Sequence, residues 1–374
     1  MNDEIRALFP VTRELVYLNH AAVSPLFTPA VEAINRQLQD ISNHGSLNFR
    51  DWIATKERCR RRLATMTDAR PEQIAFMRNT SDALSSIANG LHWQTGDNIV
   101  TFRGEFPSNI YPWLRIRDAY GVEVRMCEER DGRVDPEDLI SLIDSKTRVV
   151  AISQVQYASG FRSNLAEIGQ AARAVDALLV VDLIQSLGVQ PVQVEADLID
   201  AGAWACHKWL LGPEGIGAIY LSDRARARID PTLVGWISVP DPENHLDHDQ
   251  GWKGGALPWE TGTGPAALFY GLEASLELIQ SFTPGEILSY LISLCARLEE
   301  GLLNKGYRLI NSREPGEESQ IVCVWPKEGT TAFELFRGLK KQGIVTAPRG
   351  HGLRLAPHFY NNFADIDRVL EALP

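Results

Sequence analysis

Four short runs, "DNIVTFR" (97–103), "TRVVAISQV" (147–155), "ALLVVDL" (177–183) and "GIGAIYLS" (215–222), are rich in Val, Ile, Leu and Ala and carry few charges. A strand with one face in water alternates apolar and polar residues, so a strand that is apolar almost throughout must be covered on both faces. Between the second and third runs lies "SNLAEIGQAARAVDA" (163–177), with apolar residues at Leu165, Ile168, Ala172 and Val175 and with Ser163 or Asn164 placed to cap a helix. Strand, helix, strand in this order predicts parallel pairing through right-handed crossovers, and therefore an α/β fold with a mostly parallel sheet between helices. In such sheets ligands collect at the carboxyl ends of the strands.

Beyond about residue 265 the texture changes to long helical stretches, "GPAALFYGLEASLELIQSF" and "PGEILSYLISLCARLEEGLLNKG", then "SQIVCVWP" and a closing helix near "FADIDRVLEAL". This predicts a large domain over 17–264 and a smaller α+β domain over 265–374 that also takes in residues 1–16. With 374 residues, 44% of them hydrophobic, the chain has material for such a core and a sizeable site. Its 37 basic and 48 acidic residues give a net charge of −11, which disfavours a phosphate-backbone contact and an anionic membrane surface, so neither nucleic acid nor membrane is expected as a partner. The opening "MNDEIRALFP" has neither the apolar core of a secretory signal nor the pattern of a transit peptide, and a cytoplasmic location is expected. Five scattered cysteines without a CxxC pair argue against a disulfide framework and a thiolate zinc site. "NHLDHD" (244–249) lies in the most loop-like segment and reads as a solvated turn, so no metal is expected.

One lysine stands out. Lys208 sits in "AWACHKWLLGPEGIG" (203–217), an apolar, glycine-punctuated run where an unpaired ammonium group is expensive to bury. Desolvation lowers a lysine's pKa, and the free amine is the form that condenses with an aldehyde. Asp182 ends the strand "LLVVD", where a doubly wound sheet presents side chains to its ligand, and Gln185 follows it closely. Taken alone, Asp182 reads more readily as a helix cap or a solvated loop carboxylate.

Asp182, Gln185 and "HKWLLGPEGIG" together resemble the class V aminotransferase superfamily, the fold-type I pyridoxal phosphate enzymes that include cysteine desulfurases and isopenicillin N epimerase-like proteins. The resemblance covers nearly the whole chain. It implies that Lys208 carries pyridoxal 5'-phosphate as a Schiff base, that Asp182 pairs with the pyridine nitrogen and that Gln185 contacts the ring hydroxyl. Thr80 and Ser81, which open the helix-period run in "MRNTSDALSSIANGL", and His207 would hold the phosphate. Thr263 in "WETGTGPAAL" would reach the phosphate of a partner subunit, which implies a homodimer with shared active sites. Phe106 in "GEFPSNIYPW" takes the place of a stacking histidine found in many relatives; stacking survives that change and proton transfer does not. Tyr157 in "SQVQYASGFR" stands where some relatives carry an asparagine near the ring hydroxyl. Arg354 matches the arginine that grips the substrate carboxylate through a fork of N–H donors. Asn19 and His20 in "VYLNHAAVSP" would border the substrate, although a buried structural histidine fits the second position equally well.

Cysteine desulfurases place a nucleophilic thiol shortly before the carboxylate-binding arginine, whereas this chain reads "GIVTAPRGHGLRLAP" there and has no cysteine after Cys323. The expected activity is therefore that of a pyridoxal phosphate enzyme on a small amino acid, aminotransferase-like or epimerase-like. The alternatives are a C–S or C–Se lyase acting on a cysteine-type substrate, and a cofactor-binding protein without turnover. A nicotinamide dehydrogenase lacks its glycine fingerprint here, and no GxxxxGK[ST] phosphate loop is present.

Overall fold

The computed structural model describes residues 3–374. In chain order its strands are β1 (Val16–Tyr17), β2 (Ile74–Met77), β3 (Asn98–Phe102), β4 (Glu123–Cys127), β5 (Thr147–Ser153), β6 (Leu178–Asp182) and β7 (Ala201–Ala205). They continue with β8 (Gly217–Leu221), β9 (Arg308–Leu309), β10 (Val322–Trp325), β11 (Ile344–Val345), β12 (Ala347–Arg349) and β13 (Gly352–Leu355). The central sheet has seven strands in the order β2-β8-β7-β6-β5-β3-β4. All four expected runs are strands of this sheet, and the segment between β5 and β6 is the helix Leu165–Ala174.

The sheet is mostly parallel as expected, with one strand reversed. β8 runs antiparallel to both β7 and β2, while the other neighbouring pairs are parallel. The cause is the length of the β7–β8 connection: residues 206–216 contain no crossover helix, and a short link between neighbouring strands can only reverse the chain. Lys208 lies in that link, at the carboxyl end of β7.

Strands β3, β5, β6, β7 and β8 are buried at nearly every position, as a sheet sandwiched by helices requires. Two core layers result, one holding Val100, Ile152, Val181 and Trp204, the other Ile99, Val149, Val180 and Ala203. The second sheet is antiparallel, β12-β13-β10-β9, flanked by the helices Glu286–Asn304 and Ala332–Lys341. The amino-terminal segment joins this part of the molecule, because β1 pairs with β11 and Asn19 bridges to Ala356. Position 265 immediately precedes the helix Ala266–Gln280, which packs on the helices Thr28–His44 and Phe49–Thr67.

Candidate active site

The carboxyl ends of β6 and β7, the start of the helix Thr80–Gly90 and the β12–β13 hairpin converge on a cavity of about 260 Å³. Its lining includes Thr80, Ser81, Phe106, Tyr157, Gln185, His207, Lys208 and Arg354. Residues drawn from widely separated stretches of sequence thus meet at one place.

The lysine loop is held from three sides. The Lys208 carbonyl accepts hydrogen bonds from Leu211 N (2.9 Å) and from His20 Nε2 (3.0 Å), and Gly212 N donates to Cys206 O. Leu211 sits in the left-handed region (φ 59°), an uncommon and costly conformation for a side chain of its size, which the surrounding contacts must impose. His20 does not line this cavity, in line with the structural reading the sequence left open for it. It is fully buried, packs at a tilt against His358 (centroids 4.1 Å) and Trp209 (5.0 Å), and has both ring nitrogens engaged. Burial pushes its pKa down to about 3, so the ring is neutral; Nε2–H donates to Lys208 O, and Nδ1 accepts from the Tyr360 hydroxyl. Its role is to fix the lysine's backbone.

Lys208 is only 8% exposed and Asp182 is 2% exposed. Burial is the dominant influence on both: it lowers the lysine pKa and raises that of the aspartate, toward the neutral forms, and their mutual attraction opposes this. Asp182 Oδ1 accepts from Ile184 N (2.9 Å), which orients the carboxylate at the end of β6. Gln185 is more constrained than expected: Oε1 accepts from Trp209 Nε1 (2.8 Å) and Nε2 donates to Ala21 O (3.0 Å), leaving one N–H toward the cavity.

At the other wall, Asn79 rather than Thr80 caps the helix Thr80–Gly90, its side chain accepting from Asp82 N. Thr80 Oγ1 is buried with no partner, and Ser81 Oγ shares a 2.7 Å hydrogen bond with Ser108 Oγ. An orphaned hydroxyl at a helix N-terminus suits an oxyanion. Gly217 makes that approach possible, since a Cβ there would lie 2.8 Å from Asn79 Cα. His207 lines the cavity with its pKa lowered by burial and then by the charge of Lys208, so a neutral ring offers one N–H donor. The Phe106 ring lies 5.7 Å from Lys208 Nζ and meets Tyr157 edge-on at 5.0 Å. Beside it, the buried carboxylate of Glu105 accepts from Ser153 Oγ (2.6 Å) and Gln156 Nε2 (3.1 Å), tying the Phe106 loop to the end of β5.

Arg354, 1% exposed, donates to Tyr157 O (2.6 Å) and lies 3.4 Å from Asn19 Oδ1, while its Nε is buried and unpartnered. Burial and the nearby Arg349 both disfavour its charge, and no carboxylate pairs with it among the described residues. An anion would complete it. Asn19 thus acts on the arginine. Thr263 lies outside this cavity and lines two other clefts, of about 360 and 340 Å³, together with Lys56 and Glu260. The sequence reading missed Ser108, Glu105 and Arg349; a serine and a glutamate flanking Phe106 and an arginine before a glycine turn carry no signal without the fold.

A lysine shielded at the carboxyl edge of a mostly parallel sheet, a carboxylate beside it, an unsatisfied oxyanion cradle and a buried arginine define a fold-type I pyridoxal phosphate site. The chain matches the aminotransferase class-V family over residues 16–367. It is 34% identical over 283 residues to a probable cysteine desulfurase from Methanothermobacter thermautotrophicus, spanning 74% of this chain and 69% of that protein. It is 25% identical over 371 residues to an uncharacterized aminotransferase from Bacillus subtilis, spanning 99% and 97%. The apo cysteine desulfurase structure from Thermococcus onnurineus superposes with a TM-score of 0.90 at 26% identity, covering 99% of this chain and 97% of that one. The chain belongs to the class-V aminotransferase family, and it is a pyridoxal phosphate-dependent enzyme.

Proposed function

We propose that this enzyme is aminotransferase-like: it takes a small amino acid into the Lys208 cavity and moves the substrate's α-proton with the lysine amine. The carrying observation is the β12–β13 hairpin, which delivers Arg354 to the cavity through the tight turn Gly350–His351 and bears no thiol. All five cysteines are buried and unpaired, and burial holds the thiol of Cys323, the one opposite Arg354 on β10, up at about 12, far from a reactive thiolate. A persulfide route through the protein's own sulfur has no support here.

When bound, pyridoxal phosphate supplies an aldehyde carbon for an amine and a pyridinium ring that accepts the electron pair left behind by a departing proton. Lys208, favoured as the free amine by its burial, is the attachment point and the base. Asp182 would hold the ring-nitrogen proton, Thr80, Ser81 and His207 would hold the phosphate, and Phe106 would shield the ring from water. Arg354 orients the amino acid by its carboxylate so that the α C–H faces the lysine. Phe106 has no proton to offer from its place beside the lysine, which favours transamination by Lys208 over epimerisation.

A homodimer fits the placement of Thr263. Ile53 and Phe49 of the helix Phe49–Thr67 line one of its clefts with Trp236, and Leu38, Ile41 and Leu47, on and just after the preceding helix Thr28–His44, are also exposed, an apolar surface suited to a second copy. The described residues contain no helix long and apolar enough to cross a membrane.

The second reading is β-elimination from a cysteine-type substrate, which needs no protein thiol; the probable cysteine desulfurase relative supports the cysteine-type substrate. Incubating the holoenzyme with a panel of amino acids, with and without a keto acid, separates the two. Keto acid formed only with an amino acceptor supports the proposal. Sulfide released without a cosubstrate defeats it.

A further inference from the structure

The cavity carries a cation that the reading above leaves without work. Arg349 lines it beside Arg354 and Lys208, and no Asp or Glu is among its lining residues. The side chain of Arg349 donates one hydrogen bond, to the carbonyl of Pro348 (2.8 Å), and it joins no ion pair among the described residues. Two arginines on one short hairpin, both facing the same cavity and neither neutralised, are electrostatically unfavourable unless anions fill the space between them.

The register of the hairpin sets their spacing. Ala347 pairs with Arg354 and Arg349 with Gly352, so residues 347, 349, 352 and 354 share one face of the ribbon. Arg349 is the diagonal neighbour of Arg354, roughly 7–8 Å away between backbones. Ala347 and Gly352 complete that face and put no bulk between the two stems. The phosphate cradle, by contrast, belongs to the helix Thr80–Gly90 and to His207, on the large sheet. One guanidinium serves the substrate's α-carboxylate, and the second is positioned for another anion on the same molecule.

We infer that Arg349 is a specificity-determining residue selecting amino acids whose side chain ends in a second anionic group, a carboxylate or a sulfinate; this rests on Arg354 holding the α-carboxylate. The fork of a guanidinium distinguishes a carboxylate from the amide of the same shape, because the amide presents a donor where the arginine needs an acceptor.

The test is equilibrium binding to holoenzyme, read from cofactor fluorescence, for L-aspartate against L-asparagine and L-glutamate against L-glutamine. In the native protein the acid of at least one pair should bind about tenfold or more tightly than its amide, the scale of a charge-assisted hydrogen bond. Arg349→Gln should bring acid and amide within about threefold by weakening the acid alone, and Arg349→Lys should fall between. Unchanged amide binding and unchanged cofactor retention show that the variant is folded. Equal affinity for acid and amide in the native protein overturns the inference. So does an equal loss for both members of a pair in Arg349→Gln, which makes Arg349 an α-carboxylate ligand, and so does loss of cofactor, which makes it a phosphate ligand. Failure of Arg354→Ala to weaken any amino acid is a separate result and removes the underlying assignment instead.

Discussion

At the scale of single residues, the site is governed by what burial does to charge. Arg354 has a buried, unpartnered Nε and no carboxylate partner among the described residues, which is what the proposed grip on a substrate carboxylate requires. Arg354→Ala should weaken amino acid binding by at least about tenfold, the scale of a lost charge-assisted fork, while cofactor stays bound; an unchanged Michaelis constant contradicts the assignment. Lys208 shows the same principle with the opposite requirement, since only its neutral amine attacks an aldehyde. Burial holds its pKa below the ordinary 10.5, and the charge of Asp182 pulls it back up. The rate of cofactor uptake by the apoprotein should therefore rise with pH to a midpoint below 10.5 and then level off. In Asp182→Asn that midpoint should move lower still, because the carboxylate that stabilises the ammonium form is gone; a midpoint displaced upward refutes the coupling. His20 marks the limit of reading from residues, because its motif places it near the substrate and only the packing of Trp209, His358 and Tyr360 shows that it braces the lysine from behind.

Among the elements, short connections decide where chemistry goes. The apolar runs at β3, β5, β6 and β8 were legible because continuous burial leaves a continuous apolar sequence. β2, β4 and β7 were not: "AGAWA" is too small and "EVRMC" too mixed to declare a strand, and both are fixed by their neighbours in the sheet. The direction of β8 was equally hidden, since it follows from the absence of a helix between residues 206 and 216. The lysine, the aspartate, the phosphate-cradle hydroxyls and the arginine were found through the motif resemblance, whereas Arg349 and Glu105 acquire meaning only when a hairpin register or a loop tie is visible. The contact of β8 with the helix cap carries its own prediction. In Gly217→Ala the new methyl meets the backbone of Asn79 and the carbonyl of Trp204, both at 2.8 Å, and neither can rotate away. The change should cost about 1–3 kcal/mol of stability and loosen the cofactor's phosphate, measured by urea unfolding and by dialysis. Full stability with full cofactor retention would show that the cradle does not depend on this approach.

Across the whole molecule, the loop bearing Thr263 is anchored by a buried charge cluster. Glu260 accepts from Arg60 Nη1 and Phe76 N and pairs with Lys56, which fastens the loop to the helix Phe49–Thr67 and to β2. Burial alone would raise the Glu260 pKa, but the two cations override it and hold the carboxyl down at about 2. Glu260→Ala leaves the buried Lys56 without its carboxylate and Arg60 with Glu57 alone, and should destabilise the protein by about 3–5 kcal/mol. With the loop unfastened, the variant should also shift from dimer toward monomer in light scattering; a dimer of native stability contradicts both the anchor and the proposed subunit contact. The residues of the site converge on one covalent attachment point, Lys208. Borohydride reduction of the holoenzyme followed by peptide mass mapping should find the pyridoxyl group on Lys208, and the Lys208→Ala protein should carry none. A reduced adduct on another lysine, or equal labelling of the variant, would contradict the account at its centre.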